Sequence, residues 1–251
     1  MSFIRRVFTI DPELTPPPFG TCKYLILDLE TTGLEPKEDV IICGGFLDYK
    51  NNRAYVYFLP DPMDHAKFWR FLRNTVLWYH NKGYTVWAYN NDFECSFLEL
   101  PETIIRDLMI YRVSTYTIYE DDEPAHEIPQ YFRAKMVSTA LDIIRHYYPK
   151  FFLKKDEIPK KLNEFIEKIL KDYMISNEIP KIYYKKWLLR RDPSAVDAII
   201  HHNFVDLFLE LWILWYFYEV IFNIRDYLLN FAEKTFNYLP AEIEHYLGEY
   251  F

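Results

Sequence analysis

Two acidic residues end an apolar run near the start of the chain, where Asp28 and Glu30 follow the segment YLIL at residues 24–27. Side chains along a β-strand alternate between its faces, so residues two apart project from the same face. Carboxylates at the end of a central strand are costly to bury unless something compensates their charge. A hard divalent cation would do so, because such ions prefer oxygen ligands. Taken without its neighbours, an Asp-x-Glu pair is equally compatible with two exposed acids at a strand end.

A second acidic segment, NNDFE at residues 90–94, follows a short predicted strand. Its acids are Asp92 and Glu94, and a helix that has already begun at residue 92 turns their side chains to different sides. Taken alone, the segment is typical of an asparagine-rich helix cap with surface acids. With Asp28 and Glu30 upstream, we favour a functional interpretation for one of these two acids.

A third acidic position, Asp206, stands in a long predicted helix and is preceded by two histidines, His202 four residues before it and His201 five. On a continuous helix, residues four apart share a face, whereas residues five apart diverge by about 140°. The helix is predicted to begin near Pro193, which makes both histidines helical and favours His202 as the partner of Asp206. His201 is the alternative if the helix begins later. A neutral imidazole of either residue can accept a proton near neutral pH.

The heptad DLETTGL at residues 28–34 resembles the first motif of the DEDD exonuclease superfamily, which includes DnaQ-type proofreading subunits and the proofreading domains of family B polymerases. The second motif of that superfamily is Asn-x-x-Phe-Asp, and the segment at residues 90–94 is similar to it, with Glu94 in place of Asp. The third motif is an Asp with a Tyr four residues before it or a His five before it, and Asp206 has a His at both spacings. The resemblance implies a DnaQ-like 3′–5′ exonuclease with a ribonuclease-H-like fold.

The resemblance also implies which residues do the chemistry. Two divalent ions, Mg²⁺ or Mn²⁺, would be held roughly 3.5–4 Å apart for the hydrolysis of phosphodiester bonds. Four acids would hold them: Asp28, Glu30, Glu94 and Asp206. His202, or else His201, would accept the proton of the attacking water where many relatives have a Tyr. The longer Glu94 side chain would still reach the metal after a small shift.

Further residues of the same motifs are implied to contact the substrate. Thr31, Thr32 and Leu34 would lie against the terminal nucleotide, and Asn90 would also face the substrate. The alternative for the two threonines is ordinary turn chemistry. The alternative for Leu34 is packing in the core.

The order of predicted elements indicates an α/β fold, with a ribonuclease-H-like mixed β-sheet flanked by α-helices. Strands are predicted at residues 23–29, 40–48 and 54–59 as an antiparallel meander, followed by a helix at 64–81, a strand at 84–88 and a helix from 93. A helix is also predicted at 157–174, and the last long helix runs from Asp192 and Pro193 to about residue 222.

The predicted domain organisation is an irregular N-terminal arm at residues 1–22 and an exonuclease domain at 23–222. A partly inserted basic segment is predicted at about 111–191, and a helical C-terminal extension of the same domain at 223–251.

Charge is distributed unevenly along the chain. The net charge is −8, but residues 150–191 hold twelve Lys or Arg against six acids, a local balance of +6 that leaves −14 elsewhere. A basic region beside an acidic, metal-collecting site suits a nucleic-acid enzyme, although lysines on ordinary surface helices give the same pattern. Lys185 and Lys186 are the candidates for contacts with the phosphates of a single strand.

Other features bound the location and the partners of the protein. The most apolar segment, residues 207–222, is short for a bilayer span and is interrupted by Glu210 and Glu219, which predicts a buried helix and no membrane partner. The N-terminal residues lack the pattern of a signal peptide, which predicts a cytoplasmic protein. Three scattered cysteines predict neither a disulfide framework nor a zinc site. A homo-oligomer is a further possibility.

These observations favour a metal-dependent 3′–5′ exonuclease acting on single-stranded DNA. An exoribonuclease with the same site is the close alternative, because the motif residues contact metal and phosphate and do not distinguish the sugar. A nucleic-acid-binding module that keeps the fold without turnover is an alternative of another class. A polymerase-linked proofreading subunit would require a partner-binding segment, and the sequence shows no such segment.

Overall fold

A computed structural model describes residues 3–10, 22–108, 140–141, 143–144 and 179–216. Six strands form one sheet: β1 (Ile4–Thr9), β2 (Tyr24–Thr31), β3 (Ile41–Asp48), β4 (Arg53–Phe58), β5 (Thr85–Ala88) and β6 (Ile105–Asp107). Within these residues four helices have defined bounds: α1 (His65–Asn81), α2 (Asn91–Leu98), α3 (Ile179–Arg190) and α4 (Pro193–Trp215). A short 3₁₀ helix, Pro62–Asp64, leads into α1.

The sheet is mixed, with the strand order β1-β4-β3-β2-β5-β6. Antiparallel pairing joins β1, β4, β3 and β2, while β5 and β6 continue the sheet in parallel with β2. Short connections produce the antiparallel meander of β2 to β4, and the crossover through α1 permits the parallel return at β5. The predicted α/β class with a mixed sheet flanked by helices is confirmed, and β2 lies at its centre.

Strand β2 presents two chemically different faces. Leu25, Leu27 and Leu29 pack in the apolar cluster that also contains residues of α1. Asp28 and Glu30, which alternate with these leucines, contact residues of α4 instead. The period-two alternation of a strand thus puts the two acids on one face of the sheet, as their spacing predicted, and that face is covered by α4.

Helix α4 crosses that acidic face and is the central helix of the fold. The Asp192 side chain accepts a hydrogen bond from the Ser194 amide, and Pro193 occupies the first turn, so the predicted start of the helix is confirmed. Apolar residues of α4 pack with residues of β3 and β4 in one large cluster. By length and composition α4 could cross a membrane, but 83% of its most apolar window is buried inside the protein. It is therefore described as a core helix.

A glycine permits the close approach of α4 to the sheet. Gly45 lies opposite Asp28 on β3, and a Cβ atom at this position would overlap Asn203 Oδ1 and lie 2.6 Å from Leu207 Cδ1. Only glycine leaves room there for both side chains of α4. The neighbouring Gly44 points to the other side of the sheet, where a Cβ atom would meet the terminal methyl groups of Leu72 at 2.8 and 3.0 Å.

Some elements differ from the prediction. The arm at residues 1–22 was predicted to be irregular, which is wrong for Ile4–Thr9, because these residues form edge strand β1 and pair with β4. All six side chains of β1 are exposed or half-buried, so the strand lacks the apolar alternation that would reveal it. The three-residue strand β6 also has no predicted counterpart. Helix α3 lies within the predicted basic segment, whereas the predicted helix at 157–174 and the extension at 223–251 lie outside the described residues.

We predict that Gly45→Ala lowers the free energy of unfolding by about 1–3 kcal/mol, a typical cost of overpacking a well-packed site. The added methyl group must displace Asn203, which is held by hydrogen bonds to Asp28. Gly44→Ala is the matched control on the opposite face, where the contacts are flexible leucine methyl groups, and it should cost less. Urea denaturation measures both values, and an equal or smaller loss for Gly45→Ala would contradict the proposed close approach.

Candidate metal centre

The end of β2 and the middle of α4 bring together a carboxylate, an imidazole and a second carboxylate. His202 Nε2 lies 3.9 Å from Glu30 Oε1 and 3.7 Å from Asp206 Oδ2. One ligand atom from each of the three residues lies within 4.8 Å of the other two, and all three residues are buried. Such a group of oxygen and nitrogen atoms has the size needed to surround one metal ion.

Asp28 is joined to the same helix by an asparagine. The Asn203 side-chain amide donates to the main-chain carbonyl of Asp28 at 3.1 Å and to its carboxylate at 2.5 Å. Asn203 is fully buried, so its amide holds the Asp28 carboxylate in one orientation. The sequence analysis did not identify Asn203, although its position between His202 and Asp206 in a polar interruption of an apolar helix was a usable signal.

Helix α2 contributes Glu94 rather than Asp92. The helix begins at Asn91, so both acids are helical and point to different sides, with Glu94 buried and Asp92 exposed. Burial raises the pKa of the Glu94 carboxyl well above its usual range, and the charges of Asp107 and Glu30 raise it further. Among the described residues, Glu94 Oε2 has no hydrogen-bond partner. The acid in the position of the second motif is therefore buried despite the change from Asp to Glu, whereas Asp92 is exposed.

Two further acids that the sequence analysis did not place in the site belong to the same acidic region. Glu210 lies one turn after Asp206 on α4 and is buried. Burial raises its pKa well above the usual range, and the charges of Asp28, Glu94, Asp206 and Asp107 add to this effect. The signal for Glu210 was present, because it is a charged residue four positions after Asp206 in the most apolar segment of the chain. Asp107 ends β6, a strand too short to be predicted.

The two histidines occupy different positions around α4. His202 is buried and belongs to the group with Glu30 and Asp206. His201 is half-buried and projects about 100° away around the helix axis. Since α4 is continuous from Pro193, the geometry favours the spacing of four residues that His202 has.

The loop after β2 is built by its own polar side chains. Thr31 Oγ1 donates to the Gly33 carbonyl, and Thr32 Oγ1 lies 2.9 Å from Asp39 Oδ1 and accepts from the Val40 amide. Both threonine hydroxyl groups thus have the turn role that was the alternative to substrate contact. Leu34, in contrast, is 54% exposed, so the alternative of core packing is wrong and its side chain is available to a ligand.

The remaining predicted substrate contacts lie at different places. Asn90 is half-buried and immediately precedes α2. Lys185 is exposed on α3, whereas Lys186 lies 3.1 Å from Asp192 Oδ2 at the start of α4. This ion pair joins α3 to α4. Asp192 is ten positions before His202, so the pair lies about 15 Å along the helix from the group of Glu30, His202 and Asp206.

The donor atoms suit a hard divalent cation. Acids from β2, α2 and α4 are buried near one another, which is unfavourable unless positive charge or protons compensate them. Cys43, opposite Glu30 on β3, has a thiol whose pKa is raised by burial and by the charges of Glu30 and Asp28. A protonated thiol is a poor ligand. The available ligands are thus carboxylate oxygen atoms and one imidazole nitrogen, and this set fits Mg²⁺ or Mn²⁺.

Sequence comparison agrees with the architecture. A model of the RNase_H_2 family, described as RNase_H superfamily, matches residues 25–218. The matched region includes β3 to β6, all four helices and nearly all of β2, and therefore every element that supplies an acid to the site. No curated protein matches the chain. Because the match covers most of its length, the chain belongs to the RNase H superfamily.

Proposed function

We propose that this protein is a metal-dependent 3′–5′ exonuclease of the DEDD type that acts on single-stranded DNA. The observation that carries the proposal is the buried group of Glu30, His202 and Asp206, which Asp28 and Glu94 adjoin. Membership of the RNase H superfamily supports a nuclease-type reaction on nucleic acid. The resemblance of residues 28–34 to the first DEDD motif supports exonuclease activity and its direction.

The protein side of the chemistry follows from the positions of the acids. Asp28, Glu30, Glu94 and Asp206 would hold two divalent ions, which supply positive charge to the phosphate and acidify a water molecule. Asn203 fixes the orientation of Asp28 through its two hydrogen bonds. His202 Nε2 is within 4 Å of both Glu30 and Asp206, where it can accept a proton released in the reaction.

The loop after β2 supports recognition of a chain end. The register of β2 against β3 shifts between Glu30 and Thr31, so the strand leaves regular pairing directly after the acids. Internal hydrogen bonds of Thr32 and Asp39 hold the loop, and Leu34 is exposed on it. A rigid loop with an apolar tip beside the acids would contact the last nucleotide of a strand. Lys185 would contact phosphates farther along.

We predict that the purified protein shortens 5′-labelled single-stranded DNA to a ladder in Mg²⁺ or Mn²⁺ and that EDTA abolishes the reaction. Asp28→Asn should reduce kcat by more than about a hundredfold, because it removes a charged metal ligand. It retains an oxygen that Asn203 can bind, so the fold should be kept. Denaturing gels with 3′-labelled, 5′-labelled and circular DNA, and with the matching RNA, measure direction and substrate.

The control is Glu99→Gln, an exposed acid just after α2 that should leave the rate unchanged. A ladder that is faster on RNA would transfer the proposal to an exoribonuclease. Cleavage of circular DNA would contradict an exonuclease. Binding to both polymers without cleavage in either metal would exclude an enzyme and leave a binding module.

We predict that His202→Gln and His201→Gln differ sharply. Loss of a positioned proton acceptor costs about 10²–10⁴ in kcat, so His202→Gln should fall in that range. His201→Gln should stay within severalfold of the unchanged protein, since His201 lies outside the group with Glu30 and Asp206. Single-turnover rates measure the effect of each substitution on the reaction. Circular dichroism checks that both variants are folded. The reverse order of effects would assign the role to His201.

A further inference from the structure

The pairing of β2 with β3 changes register directly after Glu30. Glu30 pairs with Cys43. Thr31, the next residue, pairs with Ile41, and Ile42 is passed over. Ile42 and Cys43 both pack in the cluster that contains α4, whereas successive residues of a regular strand alternate between faces. Such a β-bulge bends the strand locally, and it therefore determines how the two strands continue beyond the candidate metal centre.

A side chain of α1 binds the main-chain amide of Ile41 at this bulge. The Ile41 N–H donates to His65 Nε2 at 3.2 Å. In the next pair of residues the Thr32 N–H donates to the Val40 carbonyl, so the alternation of an antiparallel ladder turns the Ile41 N–H away from β2. Ile41 is fully buried, and a buried amide without an acceptor is unfavourable. The first residue of α1 supplies that acceptor.

The hydrogen bond requires a neutral imidazole at His65. An imidazole nitrogen accepts only when the ring is uncharged, so the proton of His65 is on Nδ1. His65 is half-buried, and burial lowers the pKa of its imidazole. The partial positive charge at the start of a helix also disfavours a second positive charge there. The carboxylate of the neighbouring Asp64 lies 2.7 Å from Lys67 Nζ.

The bulge forms the base of the loop that carries Leu34. Across this base the Val40 N–H donates to Thr32 Oγ1 at 3.0 Å, in addition to the main-chain bond between the same two residues. The Asp39 carboxylate accepts from the Thr32 hydroxyl group before Leu34 and from the main-chain amide directly after it. These bonds lie within the loop. The bond to His65 joins the base of the loop to α1.

We propose that His65 is a positioning residue, whose neutral imidazole fixes the bulge after Glu30 and thereby holds the loop with Leu34 in place to bind the end of a nucleic-acid strand. This inference rests on the proposed function, which assigns to the loop a contact with the last nucleotide. His65 lies outside the group of Glu30, His202 and Asp206, so it acts through the loop and not in the reaction itself.

Nuclear magnetic resonance tests the hydrogen bond without reference to nuclease activity. In isotope-labelled protein we expect a scalar coupling between the Ile41 amide nitrogen and His65 Nε2. His65→Leu has no acceptor, so exchange of the Ile41 amide hydrogen with solvent should become at least about tenfold faster, as expected for loss of a buried hydrogen bond. His65→Gln, whose amide oxygen can reach the position of Nε2, should restore most of the protection. His80→Leu, in the last turn of the same helix, is the matched control and should leave this exchange unchanged.

The affinity for a chain end tests the consequence for the substrate. Fluorescence anisotropy in Ca²⁺ compares a linear single-stranded oligonucleotide with a circular one of the same length. His65→Leu should bind the linear molecule about tenfold more weakly, because binding must then order the loop, and should bind the circular one as before. In Mg²⁺ the KM for linear DNA should rise by the same factor while kcat at saturating DNA stays within about twofold. His65→Gln should recover most of the affinity.

The outcomes separate this inference from the proposed function. A folded His65→Leu variant that keeps the affinity for linear DNA, or loses kcat instead, would overturn the positioning role. Equal losses in His65→Gln and His65→Leu would overturn the need for an acceptor. If circular dichroism shows that His65→Leu is unfolded, His65→Asn takes its place, because its amide is too short to reach Ile41. An unchanged protein that neither prefers linear DNA nor cleaves it would instead overturn the proposed exonuclease.

Discussion

Mutual repulsion of buried carboxylates is the constraint on which the organisation of this protein depends. Strand β2, helix α2 and helix α4 each direct acids into one region, and Glu30, Glu94, Asp206 and Glu210 are all buried there. Bringing such groups together costs free energy that the surrounding apolar core must offset. Burial raises the pKa values of Glu94 and Glu210, and the charges of neighbouring acids raise them further. A site of this kind is suited to divalent cations, because a bound cation attracts each carboxylate and so offsets their mutual repulsion.

The fold meets that constraint by placing the acids on its most rigid elements. β2 is paired on both sides, and its leucines anchor it to the α1 side of the sheet while Asp28 and Glu30 face α4. α4 is buried along most of its length, so His202, Asn203 and Asp206 have little freedom to move. Gly45 lets the helix lie against β3 closely enough for Asn203 to reach Asp28. Packing on both sides of the sheet thus sets the distances between the charged groups.

The acidic region departs from the DEDD pattern at Glu94 and at Glu210. Glu94 is longer than the usual Asp, and it lies near Asp107 as well as Glu30. Burial raises the pKa of Glu210, and the charges of Asp28, Glu94, Asp206 and Asp107 raise it further. The His202 position, by contrast, keeps the one-turn spacing from Asp206 that a continuous helix requires.

Local sequence patterns determined the α/β class, the meander, the helix start at Asp192 and the face shared by Asp28 and Glu30, because strand alternation and helix capping act between near neighbours. They did not predict β1, because none of its side chains is buried and its strand conformation is defined by pairing with β4. Glu94 over Asp92, and His202 over His201, became distinguishable only once α2 and α4 had definite starting points. Asn203, Asp107 and Glu210 joined the acids through tertiary packing, because contacts between residues as far apart as 28 and 203 depend on how the helix crosses the sheet.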